Sequence, residues 1–200
     1  MIRYAITDSS RSRDAATRHA ELIAHARRWA LQKIDFVQLR EKTLEAGELL
    51  ALAEAILAIF REQGGHTKLL INTRADVAIA AQADGVHLTS RSEGLAPAQV
   101  RQLYAQTTTQ PIVSVSCHSV AEVERACSLG TDLILFGPVF EKRVGGEQVA
   151  AGVGLAALRE ACTAAGDIPV LALGGVKPEL IDDCLRAGAK GVAGIRLFAR

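Results

Sequence analysis

The chain has 200 residues, 49% of them hydrophobic and 22% charged, with a net charge of +1, totals that describe one domain spanning 1–200 with a full core and no second domain. A balance this near zero supplies no field for nucleic acid or anionic lipid, and aromatics at 4% leave few stacking platforms, so neither is expected as a partner. No apolar run reaches membrane-spanning length, and the chain opens on Met1-Ile-Arg-Tyr-Ala-Ile-Thr without a charged-then-apolar leader, which predicts a cytoplasmic protein.

Short apolar runs of strand length alternate with amphipathic runs of helical spacing. Ile2 to Thr7 reads as a first strand, followed by a helix from about Asp14 to Gln32 with Ala16, Ala20, Leu22, Ile23, Ala26 and Trp29 on a broad apolar face. Phe36 to Leu39, Leu69 to Asn72, Gly85 to Leu88 and Ile112 to Ser116 are the next strands. Helices follow them over 44–62, 75–82, 97–104 and 120–128. Asp132 to Phe136 is a sixth strand, then a glycine-rich loop runs to Gly152 before a helix from Val153 to Ala164. Pro169 to Leu173 and Lys190 to Ile195, with a helical run after Pro178 between them, complete eight.

Eight β/α units without a composition break predict an α/β fold, a (β/α)8 TIM barrel in one domain whose last helix is truncated because the chain ends soon after the eighth strand. The alternative is an open doubly wound sheet, which would more naturally carry a G-x-G-x-x-G turn after its first strand than Thr7-Asp-Ser-Ser. Cys117, Cys127, Cys162 and Cys184 lack C-x-x-C spacing and read as free thiols, buried or on helix faces.

In a barrel the chemistry sits at the C-terminal ends of the strands. The second strand closes on Gln38-Leu-Arg-Glu-Lys, whose period of two puts Gln38, Arg40 and Lys42 on one side, suited to a phosphate or diphosphate; Arg40 paired internally with Glu41 is the structural alternative. Asn72 closes the third strand and can orient a heterocycle through paired hydrogen bonds. His87 and His118 are acid/base candidates, although a histidine at a strand end also serves as a structural donor, and Ser119 with Glu122 has the spacing of a capping box. Lys142 and Arg143 stand in the glycine-rich loop, a lid over an anion or a plain surface loop.

Gly174-Gly after the seventh strand, and a short helix beginning after Ile195 and Arg196, would together form a phosphate cup of main-chain amides. A valine at Gly174 is then expected to fill the cup and weaken phosphate binding much more than it alters the fold.

Seven ordered motifs carry a resemblance over nearly the whole chain: Val37-Gln-Leu-Arg-Glu-Lys, Leu70-Ile-Asn-Thr-Arg-Ala-Asp-Val-Ala, Ala83-Asp-Gly-Val-His-Leu, Val115-Ser-Cys-His-Ser, Phe136-Gly-Pro-Val-Phe, Val170-Leu-Ala-Leu-Gly-Gly-Val and Gly188-Ala-Lys-Gly-Val-Ala. In this order they resemble the thiamin phosphate synthase family and its thiazole tautomerase (TenI-like) branch. The resemblance implies pyrimidine- or diphosphate-side contacts from Gln38, Arg40, Lys42 and Asn72, a Ser116 contact, and a thiazole phosphate held by backbone at Gly174, Gly175, Ile195 and Arg196. It also implies a small-molecule phosphate as substrate and leaves self-association open.

The chain departs from the synthase pattern where the synthases carry Mg²⁺-binding aspartates, having Thr73 at one position and Ser92, beside Glu93, at the other. Glu141-Lys-Arg-Val-Gly-Gly replaces the synthases' threonine- and lysine-bearing loop. Neutral side chains hold Mg²⁺ weakly, so no cofactor is expected, with Mg²⁺ required only if the chain is an active synthase. The tautomerase branch needs only proton transfer on a thiazole carboxylate phosphate, although the histidine used after Phe-Gly by one member is Pro138 here. The expected site is therefore His118, Arg40 and Lys42 for catalysis, with Gln38, Asn72, Ser116, Lys142, Gly174, Gly175, Ile195 and Arg196 binding substrate.

Overall fold

Tyr4 in strand β1 (Ile2–Ile6) stands opposite Phe36 of β2 (Phe36–Leu39) on one side and Ala193 of β10 (Gly191–Gly194) on the other, so the first and last strands are neighbours. The structure, a computed structural model, describes residues 1–10, 14–90, 94–144 and 147–199, with the backbone alone for 15, 142–144 and 147–150. Between β2 and β10 the sheet continues through β3 (Lys68–Asn72), β4 (Gly85–Thr89), β5 (Ile112–Cys117), β6 (Leu133–Phe136) and β9 (Val170–Leu173), every pair parallel. The result is a closed eight-stranded barrel. Closure leaves no barrel strand with an unpaired edge, and the open doubly wound alternative is overturned.

Helices α1 (Ala15–Leu31), α2 (Ala46–Glu62), α3 (Ala75–Ala80), α4 (Pro97–Tyr104), α5 (Val120–Ser128), α6 (Gly154–Ala165) and α7 (Ile181–Arg186) alternate with the strands. Each lays an apolar stripe on the barrel. In α2 the buried residues Leu49, Leu52, Ala53, Ile56 and Phe60 recur at three- and four-residue spacing, and each large one contributes roughly 1.5–3 kcal/mol by leaving water. In α1 the buried stripe is Leu22, Ala26, Trp29 and Ala30, whereas Ala16 and Ala20 are exposed, so the apolar face is narrower than the pattern suggested. Asp14 caps α1, accepting from the Thr17 backbone N–H at 2.8 Å, a contact worth about 1 kcal/mol.

Three expected features take a different form. The glycine-rich stretch after β6 contains an antiparallel hairpin, β7 (Lys142–Val144) with β8 (Glu147–Ala150). A 3₁₀ turn over Pro178–Leu180 precedes α7, since proline suits a first turn that needs no N–H. Beyond β10 the chain makes a turn, and no helix begins after Ile195 among the described residues. Trp29 Nε1 donates to the Phe198 carbonyl at 2.7 Å and Arg28 donates to the Ala199 carbonyl at 2.9 Å, tying the tail to α1. Leu197 and Phe198 are partly buried and pack on the core.

The four cysteines are free, Cys117 and Cys184 buried and Cys127 and Cys162 half-buried. Among the described residues no helix is long and apolar enough to cross a membrane.

Candidate active site at the C-terminal mouth of the barrel

Tyr4 on β1 touches His87 on β4 and Ser114 on β5, strands that are not its neighbours, so these contacts cross the barrel interior. The register carries that inward face around the ring: Ile6 opposite Gln38, Asn72 opposite His87, His87 opposite Ser114, and Thr89 opposite Ser116. The interior is thereby divided. Strands β2 to β5 supply Gln38, Asn72, His87, Ser114 and Ser116, while β6, β9, β10 and β1 supply Leu133, Leu135, Leu171, Ala193, Tyr4 and Ile6 as an apolar cluster that Phe36 at the start of β2 joins. Polar side chains on half of a barrel interior must satisfy each other or meet a ligand.

Gln38, only 2% exposed, donates from Nε2 to Asn72 Oδ1 at 2.8 Å. Its Oε1 is buried with no partner, an acceptor whose desolvation is uncompensated until something donates to it. His87 is 3% exposed, with Nδ1 2.8 Å from Ser114 Oγ and Nε2 2.8 Å from Ser116 Oγ. Burial, and secondarily the charge of Arg40, push its pKa down to about 3, so the ring is neutral at ordinary pH. Such a ring, with both nitrogens engaged, orients hydroxyls and is poorly placed to collect a proton.

Arg40 is half-buried, and its backbone N–H donates to Thr7 Oγ1 at 2.8 Å, fixing the chain where β2 leaves the sheet. Lys42 is exposed. Glu41 does not take up Arg40: its carboxylate accepts from the Ser9 hydroxyl, and its other oxygen is buried without a hydrogen-bond partner.

His118 is exposed, and its Nδ1 lies 3.0 Å from Glu122 Oε2. Ser119 caps α5 as expected, yet Glu122 reaches back to the His118 backbone N–H at 2.7 Å and not to that of Ser119. Among the described residues no hydrogen bond joins His118 to the Gln38–Asn72 pair or to the serines. Burial acts to raise the Glu122 pKa, but hydrogen bonds from His118 and Ser90 outweigh it and hold the carboxyl low.

At the far side of the mouth, β9 and β10 are adjacent, Leu173 opposite Ala193, so the ends bearing Gly174, Gly175, Ile195 and Arg196 are brought together. The two glycines have φ of 90° and 66°. The reason differs from the expected one: a Cβ at Gly174 would stand 2.6 Å from Pro138 Cα, and one at Gly175 2.6 Å from the Glu141 carbonyl oxygen. The segment after β6 is pressed on this corner, with Val139 N–H bonded to Leu173 O at 2.8 Å and Phe140 N–H to Gly174 O at 3.0 Å. Among the described residues, no backbone hydrogen bond comes from the N–H groups of Gly174, Gly175, Ile195 or Arg196, while the helix expected to add amides after Ile195 is replaced by a turn. The Lys142 and Arg143 side chains, and Ser92 and Glu93, lie outside what is described.

The end of β3 does not fit a Mg²⁺ ion. Thr73, at φ 58°, donates its hydroxyl to the Asn72 carbonyl at 2.8 Å. Asp76, the next carboxylate along, is held by a two-pronged contact from Arg74 at 2.9 and 2.6 Å, which keeps its pKa low. Among the described residues no three His, Cys, Asp or Glu side chains are grouped to hold a metal.

Sequence reasoning missed Tyr4, Thr7, Ser9 and the role of Ser114. Ser114 shares the period-two face of Ser116, which was a legible signal, but nothing in β1 distinguishes Tyr4 from a plain core aromatic.

Residues 3–198 match the family model described as thiamine monophosphate synthase. The chain belongs to this family. A putative thiamine-phosphate synthase of Geobacter sulfurreducens is 42% identical over 160 residues, 78% of this chain and 70% of that protein. The putative thiamine-phosphate synthase 2 of Aquifex aeolicus is 36% identical over 196 residues, covering 98% and 96% of the two chains. A solved thiamine phosphate pyrophosphorylase from Pyrococcus furiosus superposes with a TM-score of 0.80 at 24% identity, over 100% of this chain and 88% of that one, and shares the barrel fold. The thiamin phosphate synthase family is one of enzymes, transferases of thiamin biosynthesis built on a TIM barrel.

Proposed function

We propose that the protein binds a hydroxyethylthiazole phosphate, or its carboxylated relative, at the C-terminal mouth and works as a TenI-like isomerase, moving a proton on the thiazole without a metal. The observation that carries this reading is the state of the β3 end. Thr73 stands where the synthases have a carboxylate, its hydroxyl spent on the Asn72 carbonyl, and Asp76 is committed to Arg74. A departing diphosphate needs its charge neutralised by a hard cation, whereas an isomerisation needs only a proton acceptor and a seat for the phosphate.

In this reading Gly174, Gly175, Ile195 and Arg196 seat the phosphate through main-chain amides, and Arg40, Lys42 and Lys142 supply positive charge. His118 carries the proton. A carboxylate on Nδ1 selects the tautomer with hydrogen there and leaves Nε2 as the acceptor, the arrangement of an oriented base. Gln38 and Asn72 hold the ring, and Ser116 makes a further contact to the ligand.

A second reading, an active synthase joining hydroxymethylpyrimidine diphosphate to the thiazole phosphate with Mg²⁺, is favoured by one observation. Gln38 offers an unpartnered acceptor beside an N–H donor, an edge complementary to an aminopyrimidine. Its relatives are also named thiamine-phosphate synthases.

The test has two arms. Expression in a thiamin auxotroph lacking its synthase should fail to restore growth, and the purified protein should isomerise the thiazole carboxylate phosphate in the presence of a chelator. Growth would establish the synthase reading, and neither activity would leave a binder of thiazole or thiamin phosphate.

A further inference from the structure

The hydroxyls around His87 form a closed inventory whose hydrogens can be counted. Tyr4 and Ser114 are 0% exposed, so each hydroxyl hydrogen needs an acceptor within reach. Tyr4 Oη is 3.2 Å from Ser114 Oγ and 3.4 Å from His87 Nδ1, and Ser114 Oγ is 2.8 Å from the same Nδ1. Suppose Nδ1 carried the ring hydrogen. The triangle would then hold three hydrogens, with two hydroxyl oxygens to receive them and no lone pair on the ring. Whichever hydroxyl takes the ring N–H passes its own hydrogen to the other, and the last hydrogen has nowhere to go. With the hydrogen on Nε2 instead, Tyr4 donates to Ser114, Ser114 donates to Nδ1, and nothing is orphaned. Only the Nε2–H tautomer satisfies every buried donor, and the distances to Nδ1, 2.8 Å from Ser114 against 3.4 Å from Tyr4, make Ser114 the group that donates to the ring.

The consequence lies at the other end of the ring. Nε2–H points at Ser116 Oγ, 2.8 Å away, so Ser116 accepts there and its own hydrogen is released toward the mouth, where Ser116 is half-buried. Dipoles aligned head to tail strengthen one another. We infer that Tyr4, Ser114 and His87 form a one-way hydrogen-bond relay that fixes His87 as its Nε2–H tautomer and makes Ser116 a donor to a phosphoryl oxygen of the bound ligand. The three are positioning residues, acting on the ligand through Ser116. Arg40 follows directly on β2 at the same mouth, and its positive charge favours an anionic acceptor there over a neutral one. The ligand half of the inference rests on the reading of the mouth as the ligand site, and the relay half does not.

Long-range ¹H–¹⁵N correlation NMR on the ligand-free, ¹⁵N-labelled full chain decides the relay. The expected His87 pattern is that of the neutral Nε2–H tautomer, unchanged in Ser116→Ala, and an Nδ1–H pattern in the wild type overturns the relay even if no variant folds. Tyr4→Phe combined with Ser114→Ala removes the hydrogen aimed at Nδ1 together with the one other hydroxyl that could replace it, and should release a mixture of tautomers; a folded double variant that keeps the pure form also overturns it. Calorimetry with inorganic diphosphate and with thiamin phosphate decides the donor role. Ser116→Ala should weaken both by about tenfold, with Ser116→Thr restoring most of the loss, as expected for one hydrogen bond to a charged group. Wild-type binding that Ser116→Ala leaves unchanged overturns the donor assignment. Failure of the wild type to bind either probe, with the tautomer as expected, overturns the mouth as the ligand site and spares the relay.

Discussion

Pro138 lies so close to Gly174 that a single methyl group at Gly174 would sit 2.6 Å from the proline Cα. This contact welds the segment after β6 to the end of β9 and leaves the glycine at φ 90°. The first effect of a side chain there is on the fold, and the expectation that it would act mainly on ligand binding is corrected. Gly174→Ala should lower the unfolding free energy by roughly 1–3 kcal/mol, from backbone strain and the displaced neighbour together. Urea unfolding followed by circular dichroism measures it, and an unchanged midpoint would refute the close approach.

Gln38 carries a buried acceptor with no partner. Gln38→Met removes that acceptor at similar volume and with it the Nε2 donor to half-buried Asn72 Oδ1, a gain and a loss that oppose each other, so stability should change by less than about 1 kcal/mol. Affinity for thiamin phosphate should fall about tenfold or more, the loss of one well-made hydrogen bond in a dry site. Retained affinity in calorimetry would remove Gln38 from the ligand site.

The pH dependence of stability follows from His87. Its folded pKa, about 3, lies below the roughly 6.5 of an unfolded histidine. Between those values the unfolded chain binds a proton that the folded chain refuses, so stability rises with pH. The contribution is complete above about pH 6.5 and is lost as pH falls toward 3, at about 1.4 kcal/mol per pH unit. Between pH 7.5 and 5.0 the wild type should therefore lose roughly 2 kcal/mol more than His87→Gln. Parallel losses in denaturant titrations at the two pH values would show that the ring protonates in place.

Trp29 fastens the tail to α1 through its indole N–H and the Phe198 carbonyl. Trp29→Phe keeps the buried ring and deletes the donor, at an expected cost of about 1–3 kcal/mol. Hydrogen exchange should rise first in α1 and around 197–199, and protection equal to the wild type would separate the tail from the stability of the barrel.

Thr73 sits at φ 58°, a region in which a β-branched residue is strained and aspartate is several-fold enriched. Thr73→Asp should leave stability unchanged or raise it by up to about 1 kcal/mol, and should add a hard oxygen donor at the end of β3. Calorimetric Mg²⁺ titration of wild type and variant is the check: a gain in affinity is expected, and tight binding by the wild type would mean the donor set is already complete.

Much of this protein was written locally. Short continuous apolar runs marked all eight barrel strands, because a parallel strand covered on both faces is apolar throughout, and three- and four-residue stripes marked the helices between them. The clustering of Gln38 with Asn72 and the meeting of the β9 and β10 ends were legible too, since both depend on adjacent strands in a closed parallel ring. The hairpin Lys142–Ala150 was not, for its glycines read equally as loop, and neither was the turn that replaces a helix after Ile195.

What only the tertiary structure decided are relationships across the barrel. Tyr4 meets His87 and Ser114 through the interior, 83 and 110 residues along the chain, and that meeting engages the histidine ring while its burial keeps it neutral. Pro138 determines why Gly174 is a glycine, and Arg74 determines that Asp76 is spoken for. Sequence periodicity records which way a residue faces. What it faces depends on closure of the ring, which sets partners far apart in the chain at hydrogen-bonding distance.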